Sequence, residues 1–111
     1  MKTPEQIKPN YAPVYAALYP ELARIFQRHG YALAIHGSMA RDFDVIAVPW
    51  REILSLPEDI IKEITEIFVI RQIGEPETKQ YGRKVYLLSI GHGGCMVDLS
   101  FFPDEEREKN G

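Results

Sequence analysis

Apolar residues recur at helical spacing between Val14 and Arg28, where Val14, Leu18, Leu22, Ile25 and Phe26 fall on one face. Pro20 lies inside this pattern, so the segment reads as a helix kinked at Pro20 or as a new helix starting near Tyr19. His29-Gly30 supplies a C-terminal stop. Two short apolar runs follow, Tyr31 to His36 and Asp42 to Val48, and both read as strands. Pro49 closes the second, because proline cannot continue the ladder of a central strand. Ser55-Leu56-Pro57-Glu58 has the chemistry of a helix start, and Ile60, Ile61, Ile64, Ile67 and Phe68 then form one apolar face. Gly74-Glu75-Pro76-Glu77 is a loop by composition. Lys84 to Ile90 and Met96 to Phe102 are β-rich runs separated by Gly91-His92-Gly93-Gly94, which predicts a hairpin. The first ten residues, with two prolines, are expected to be extended, and Asp104 to Gly111 reads as a polar, fraying end. The element order predicts a small α+β domain, a mixed sheet with helices packed on one side.

Composition narrows the picture only slightly. At 111 residues, with no repeat and no linker, the chain reads as one domain spanning 1–111. Hydrophobic residues at 45% and charged residues at 26% are ordinary for a globular chain with a real core. The net charge of -3 removes any global electrostatic reason to expect nucleic-acid binding but leaves room for a local basic patch. Cys95 is the sole cysteine, so an internal disulfide cannot form, and a cytoplasmic location is expected. The N-terminal segment lacks a signal-peptide core and no run reaches membrane-spanning length, so no membrane association is expected.

The chemistry concentrates in "HGSMARDFD", residues 36 to 44. Residues two apart on a strand point to the same face, so Asp42 and Asp44 present their carboxylates together while Phe43 turns the other way. Paired hard oxygens suit Mg²⁺ or Mn²⁺ better than Zn²⁺. Asp98 lies in the middle of an apolar run, where a charge needs a partner or a metal. If the hairpin lies beside the Asp42 strand, Asp98 joins the same site. Gly37 lets the backbone approach a ligand closely, and the Ser38 hydroxyl and nearby N–H groups can bond phosphate oxygens. Arg41, Lys79, Arg83 and Lys84 are candidates for phosphate charge.

Gly37-Ser38, Asp42-Phe43-Asp44 and Asp98 together resemble the nucleotidyltransferase superfamily related to DNA polymerase beta. In that family a strand ends in Gly-Ser, an Asp-x-Asp pair opens the next strand and a third acid lies on a later one. The resemblance implies a mixed sheet with flanking helices and Mg²⁺-dependent transfer of a nucleoside monophosphate from a nucleoside triphosphate to a hydroxyl acceptor. It implies that Asp42 and Asp44 hold both metals and that Asp98 ligates the one that activates the acceptor. A nucleic-acid acceptor or a protein partner fits the same picture. "HGSMARD-DVIAVPW" also resembles a signature of small phage-encoded members. The resemblance spans roughly residues 14 to 102 in element order, and its sharp part is residues 36 to 44 plus Asp98. Two departures stand out: only Met39-Ala40-Arg41 separate Gly-Ser from Asp-x-Asp, where the family usually has a longer stretch, and the second domain common in the family is absent from these residues.

Each residue also has a plainer reading. Asp42 and Asp44 could cap a turn, and Asp98 could pair with Arg83 or Arg41 in a structural ion pair. His36 and His92 could join the site, but His36 is expected to be a hydrogen-bonded structural residue and His92 a turn residue rather than a phosphate contact, Cys95 to be core, and Trp50 to pack against the neighbouring helix rather than stack on a base. The rival to an enzyme is a catalytically inactive binding module of the same fold, acting as a regulatory or antitoxin-like partner. A metal-dependent phosphodiesterase or nuclease is a third reading.

Overall fold

The structure, a computed structural model, describes residues 10–91 and 94–103. The expectations for His92, for residues 1–9 and for the end from Asp104 lie outside the described residues.

Helix α1 (Ala12–Arg28) is one continuous element with Pro20 inside it. Proline deprives the Ala16 carbonyl of its helical donor, but both residues are exposed, so water can take that place. The apolar face is phased differently from the expectation. Tyr15, Leu22, Ile25 and Phe26 are buried, whereas Val14 is 46% exposed. Strand β1 (Tyr31–His36) and strand β2 (Asp42–Pro49) follow, antiparallel, with His36 opposite Asp44. Helix α2 (Pro57–Ile67) starts on Pro57 with Glu58 and Asp59 in its first turn, where acids oppose the positive end of the helix dipole. It buries Ile60, Ile61 and Ile64, while Ile67 turns outward, contrary to expectation.

Two short strands escaped the sequence reading. Strand β3 (Ile70–Gln72) and strand β4 (Glu77–Thr78) both pair antiparallel with strand β5 (Lys84–Ile90), so Glu77, expected in a loop, lies in a strand. Strand β6 (Met96–Phe101) runs antiparallel to β5 and parallel to β2. The result is a mixed six-stranded sheet of order β1-β2-β6-β5-β3, with β4 beside β5, in a small α+β fold.

Alternation gives the sheet two unlike faces. Tyr31, Leu33, Phe43, Val45, Ala47, Tyr86, Leu88, Val97, Leu99 and Phe101 are buried on the face that meets the helices. Tyr15 of α1 stacks on Phe43 with ring centroids 5.0 Å apart, and Phe26 lies 5.7 Å from Phe101. The alternate residues, Asp42, Asp44, Ile46, Asp98 and Leu87 among them, lie on the opposite face, where each is at least partly exposed. Glu63, in the middle of α2, ties that helix to the end of α1 by meeting Arg28 at 3.1 Å and the His29 ring at 3.2 Å. No helix among the described residues is long and apolar enough to cross a membrane.

Candidate metal and phosphate site

The candidate site is assembled where β2 and β6 begin. In the parallel pair, Asp44 is the register partner of Asp98, and Asp42 is the partner of Met96. His36 lies across from Asp44 on β1, and Leu87 lies across from Asp98 on β5. One row of the open face therefore reads His36, Asp44, Asp98, Leu87, with Asp42 two residues toward the β2 start. Phe43, between the two acids, is fully buried under Tyr15 and anchors their strand.

None of the three carboxylates forms a salt bridge or a side-chain hydrogen bond among the described residues. The structural ion pair of Asp98 with Arg83 or Arg41 is thus not formed. Partial burial pushes the Asp44 carboxyl above its ordinary range, and the charges of Asp98 and Asp42 push it further, against a smaller opposing effect of His36. Unpaired acids whose charges oppose one another are a reason to attract a cation. Oxygen-only donors suit a hard divalent ion, although no group of three or more His, Cys, Asp or Glu side chains among the described residues is arranged to hold a metal as it stands.

The loop from Gly37 to Arg41 is pinned from both sides. Gly37 has φ +82, and a Cβ there would lie 3.1 Å from Oδ2 of Asp44, so the glycine admits both the turn and the carboxylate. Met39 also has positive φ, at 62, so the chain turns sharply twice within three residues. The Ser38 hydroxyl accepts a 3.3 Å bond from the Ala40 N–H, and the Ala40 carbonyl accepts from the Tyr11 N–H at 2.7 Å. The N–H groups of Ser38 and Met39 donate to nothing among the described residues, which leaves them free for an anion.

Two tyrosines that the sequence reading passed over hold this arrangement together. The buried Tyr15 hydroxyl donates to the Arg41 carbonyl and accepts from the Met96 N–H at 3.0 Å, so a single side chain joins the β2 and β6 starts. Burial pushes the Tyr15 hydroxyl up, which keeps it protonated as that donor. Tyr11, together with Arg41, Asp42 and Gly94, lines a 320 Å³ pocket at the acidic end. A Cβ on Gly94 would come within 3.1 Å of the Tyr11 hydroxyl, so the turn glycine makes room for that ring.

The basic candidates divide. Arg41 adjoins Asp42 and opens to solvent beside the carboxylates. Lys79 is instead paired with Glu77 at 2.7 Å, and Lys84 approaches Glu58 at 3.9 Å, so neither lies at the site. Arg83 immediately precedes β5, four residues before Leu87, and about 13 Å along the strand at 3.3 Å per residue. Cys95 is buried, as expected. Trp50 is 76% exposed and does not pack into the helices, contrary to expectation, although its backbone N–H still reaches the Gly30 carbonyl at 2.8 Å.

Compared with known proteins, the chain matches no family model and no curated sequence. The functional reading therefore stands on the site's own chemistry.

Proposed function

We propose that this protein is a minimal nucleotidyltransferase-like enzyme that moves a nucleoside monophosphate from a nucleoside triphosphate to a hydroxyl acceptor. The observation that carries the reading is the placement of Asp42, Asp44 and Asp98. Three unpaired carboxylates share one corner of the uncovered face, beside a loop with free N–H groups. A structural role would leave them with basic partners; a phosphate-handling role requires them free.

Asp42, Asp44 and Asp98 would hold Mg²⁺ or Mn²⁺, which when bound supplies positive charge opposite the phosphate oxygens. The remaining work falls to the chain itself. The Ser38 and Met39 N–H groups and the Ser38 hydroxyl hold terminal phosphate oxygens, and Arg41 neutralises charge on the same group. Gly37 keeps Asp44 seated against the loop, and Tyr15 keeps the two acidic strands in register. The acceptor hydroxyl gives its proton to water as its oxygen bonds to the α-phosphorus, the bond from that phosphorus to the α–β bridging oxygen breaks, and pyrophosphate leaves with that electron pair.

Incubating the protein with α-labelled nucleoside triphosphates, Mg²⁺ and pooled hydroxyl acceptors tests the reading. Transfer of label with equimolar pyrophosphate, lost in Asp44→Asn, is the expected result. Release of free nucleoside monophosphate would indicate hydrolysis instead, and turnover retained in Asp44→Asn would overturn the assignment. A non-catalytic binding module of the same fold is favoured by one observation: the carboxylates are not closed into a ready-made metal cage. That module would bind the triphosphate without turnover.

A further inference from the structure

The far end of the open face carries a second feature that the carboxylate site does not use. Gln80, Tyr81, Arg83, Phe102 and Pro103 line a pocket of 430 Å³, within the size range of small-molecule sites. It sits where β5 begins and β6 ends. Phe102 is four residues beyond Asp98, about 13 Å at 3.3 Å per residue, a separation of the order of an extended nucleoside triphosphate.

Three details make this pocket unlike a chance surface dimple. First, Nε of Arg83 is buried and has no hydrogen-bond partner among the described residues, an unfavourable state for a charged donor. Second, Tyr81 has φ 64 and ψ 24, a left-handed conformation that a bulky side chain rarely adopts, yet its ring is 92% exposed. The turn that imposes it is closed by bonds from the Lys79 N–H to the Arg83 carbonyl at 2.7 Å and from the Arg83 N–H to the Gln80 carbonyl at 3.4 Å. The strain therefore holds an aromatic ring out in solvent rather than in a core. Third, Phe102 is also partly exposed, and neither it nor Tyr81 has an aromatic partner among the described residues.

We infer that this pocket binds a nucleobase, which deepens the nucleotide reading above and rests on it for the class of substrate. A base offers a flat π-face to Tyr81 and Phe102, and it offers edge acceptors and donors to Arg83 and to the Gln80 amide. A phosphate would find one guanidinium among aromatic walls, a poor match for three charged oxygens. Arg83 thus reads the base, whereas Ser38, Met39 and Arg41 hold the phosphates at the other end.

Amide-resolved NMR titrations of the full chain with the four nucleosides, with ribose and with tripolyphosphate, all free of divalent cation, test this directly. At least one nucleoside is expected to shift the amides of Gln80–Arg83 and Phe102, while ribose and tripolyphosphate leave them in place. Tyr81→Gly removes the ring at a position whose backbone suits glycine, and it should weaken that binding about ten-fold. Arg83→Met keeps the stem and should weaken it by a similar factor. If no nucleoside moves these amides, or if both variants bind as tightly as wild type, the inference is overturned. A response to tripolyphosphate alone would overturn it too, by assigning Arg83 to phosphate. A parallel titration with Mg²⁺ and a triphosphate reports separately on Gly37–Asp44. A nucleoside response without that second response would sink the transfer reading and leave the base pocket standing.

Discussion

Asp44 of β2 and Asp98 of β6 are register partners in a parallel strand pair, and neither carboxylate forms a salt bridge among the described residues. Like charges placed side by side on a sheet oppose folding, so their presence needs a return outside the fold. The consequences can be measured.

Asp44 should make the protein less stable as pH rises. Its native carboxyl titrates above the ordinary value of 3.8, so between those two values the folded state binds more protons than the unfolded state. Stability therefore falls as pH rises through that window, and the full penalty is present above the native value. Asp44→Asn should raise the urea midpoint at neutral pH, and the gain should vanish in acid below the ordinary carboxylate value. A gain that persisted unchanged in acid would point to packing rather than charge.

Gly37→Ala should damage both fold and site. The left-handed backbone costs about 1–2 kcal/mol for a residue with a Cβ, and that Cβ would press on Asp44 Oδ2 at 3.1 Å. Urea unfolding should show the loss, and triphosphate affinity in Mg²⁺ should fall as well. Stability lost with affinity unchanged would mean that Gly37 shapes the turn alone.

Tyr15→Phe keeps the ring stacked on Phe43 but removes the hydroxyl that joins the Arg41 carbonyl to the Met96 N–H. Leaving these two part-buried groups unpaired should cost about 1–3 kcal/mol. Hydrogen exchange of the Met96 amide should accelerate beyond the global change, because the β2 and β6 starts lose their shared anchor.

Trp50 is a contrast. At 76% exposure, with no ring partner among the described residues, Trp50→Ser should change stability by no more than about 0.5 kcal/mol. A larger loss in thermal or urea unfolding would show that the indole packs after all.

Much of this architecture was legible in the chain. Strands β1, β2, β5 and β6 are long enough for apolar alternation to register, and the spacing of Asp42 and Asp44 by itself implies one shared face. Strands β3 and β4 were not legible, because three and two residues carry no period, and they exist only through pairing with β5. The α1 face was misphased at Val14 because tyrosine reads as amphipathic. Tyr15 can be fully buried because its hydroxyl has partners 26 and 81 residues away, which local pattern cannot reveal. The same limit hid the pocket around Tyr81 and Phe102, whose residues are brought together by the β5–β6 pairing.

The central claim is that the open-face acids hold a divalent cation for a nucleotide, and paramagnetic NMR with Mn²⁺ tests it most directly. Wild type and Asp44→Asn would be titrated with and without a nucleoside triphosphate. Broadening confined to Gly37–Asp44 and to the residues around Asp98, strengthened by nucleotide and lost in the variant, is the expected result. Broadening that is diffuse, or equal in the two proteins, would contradict it.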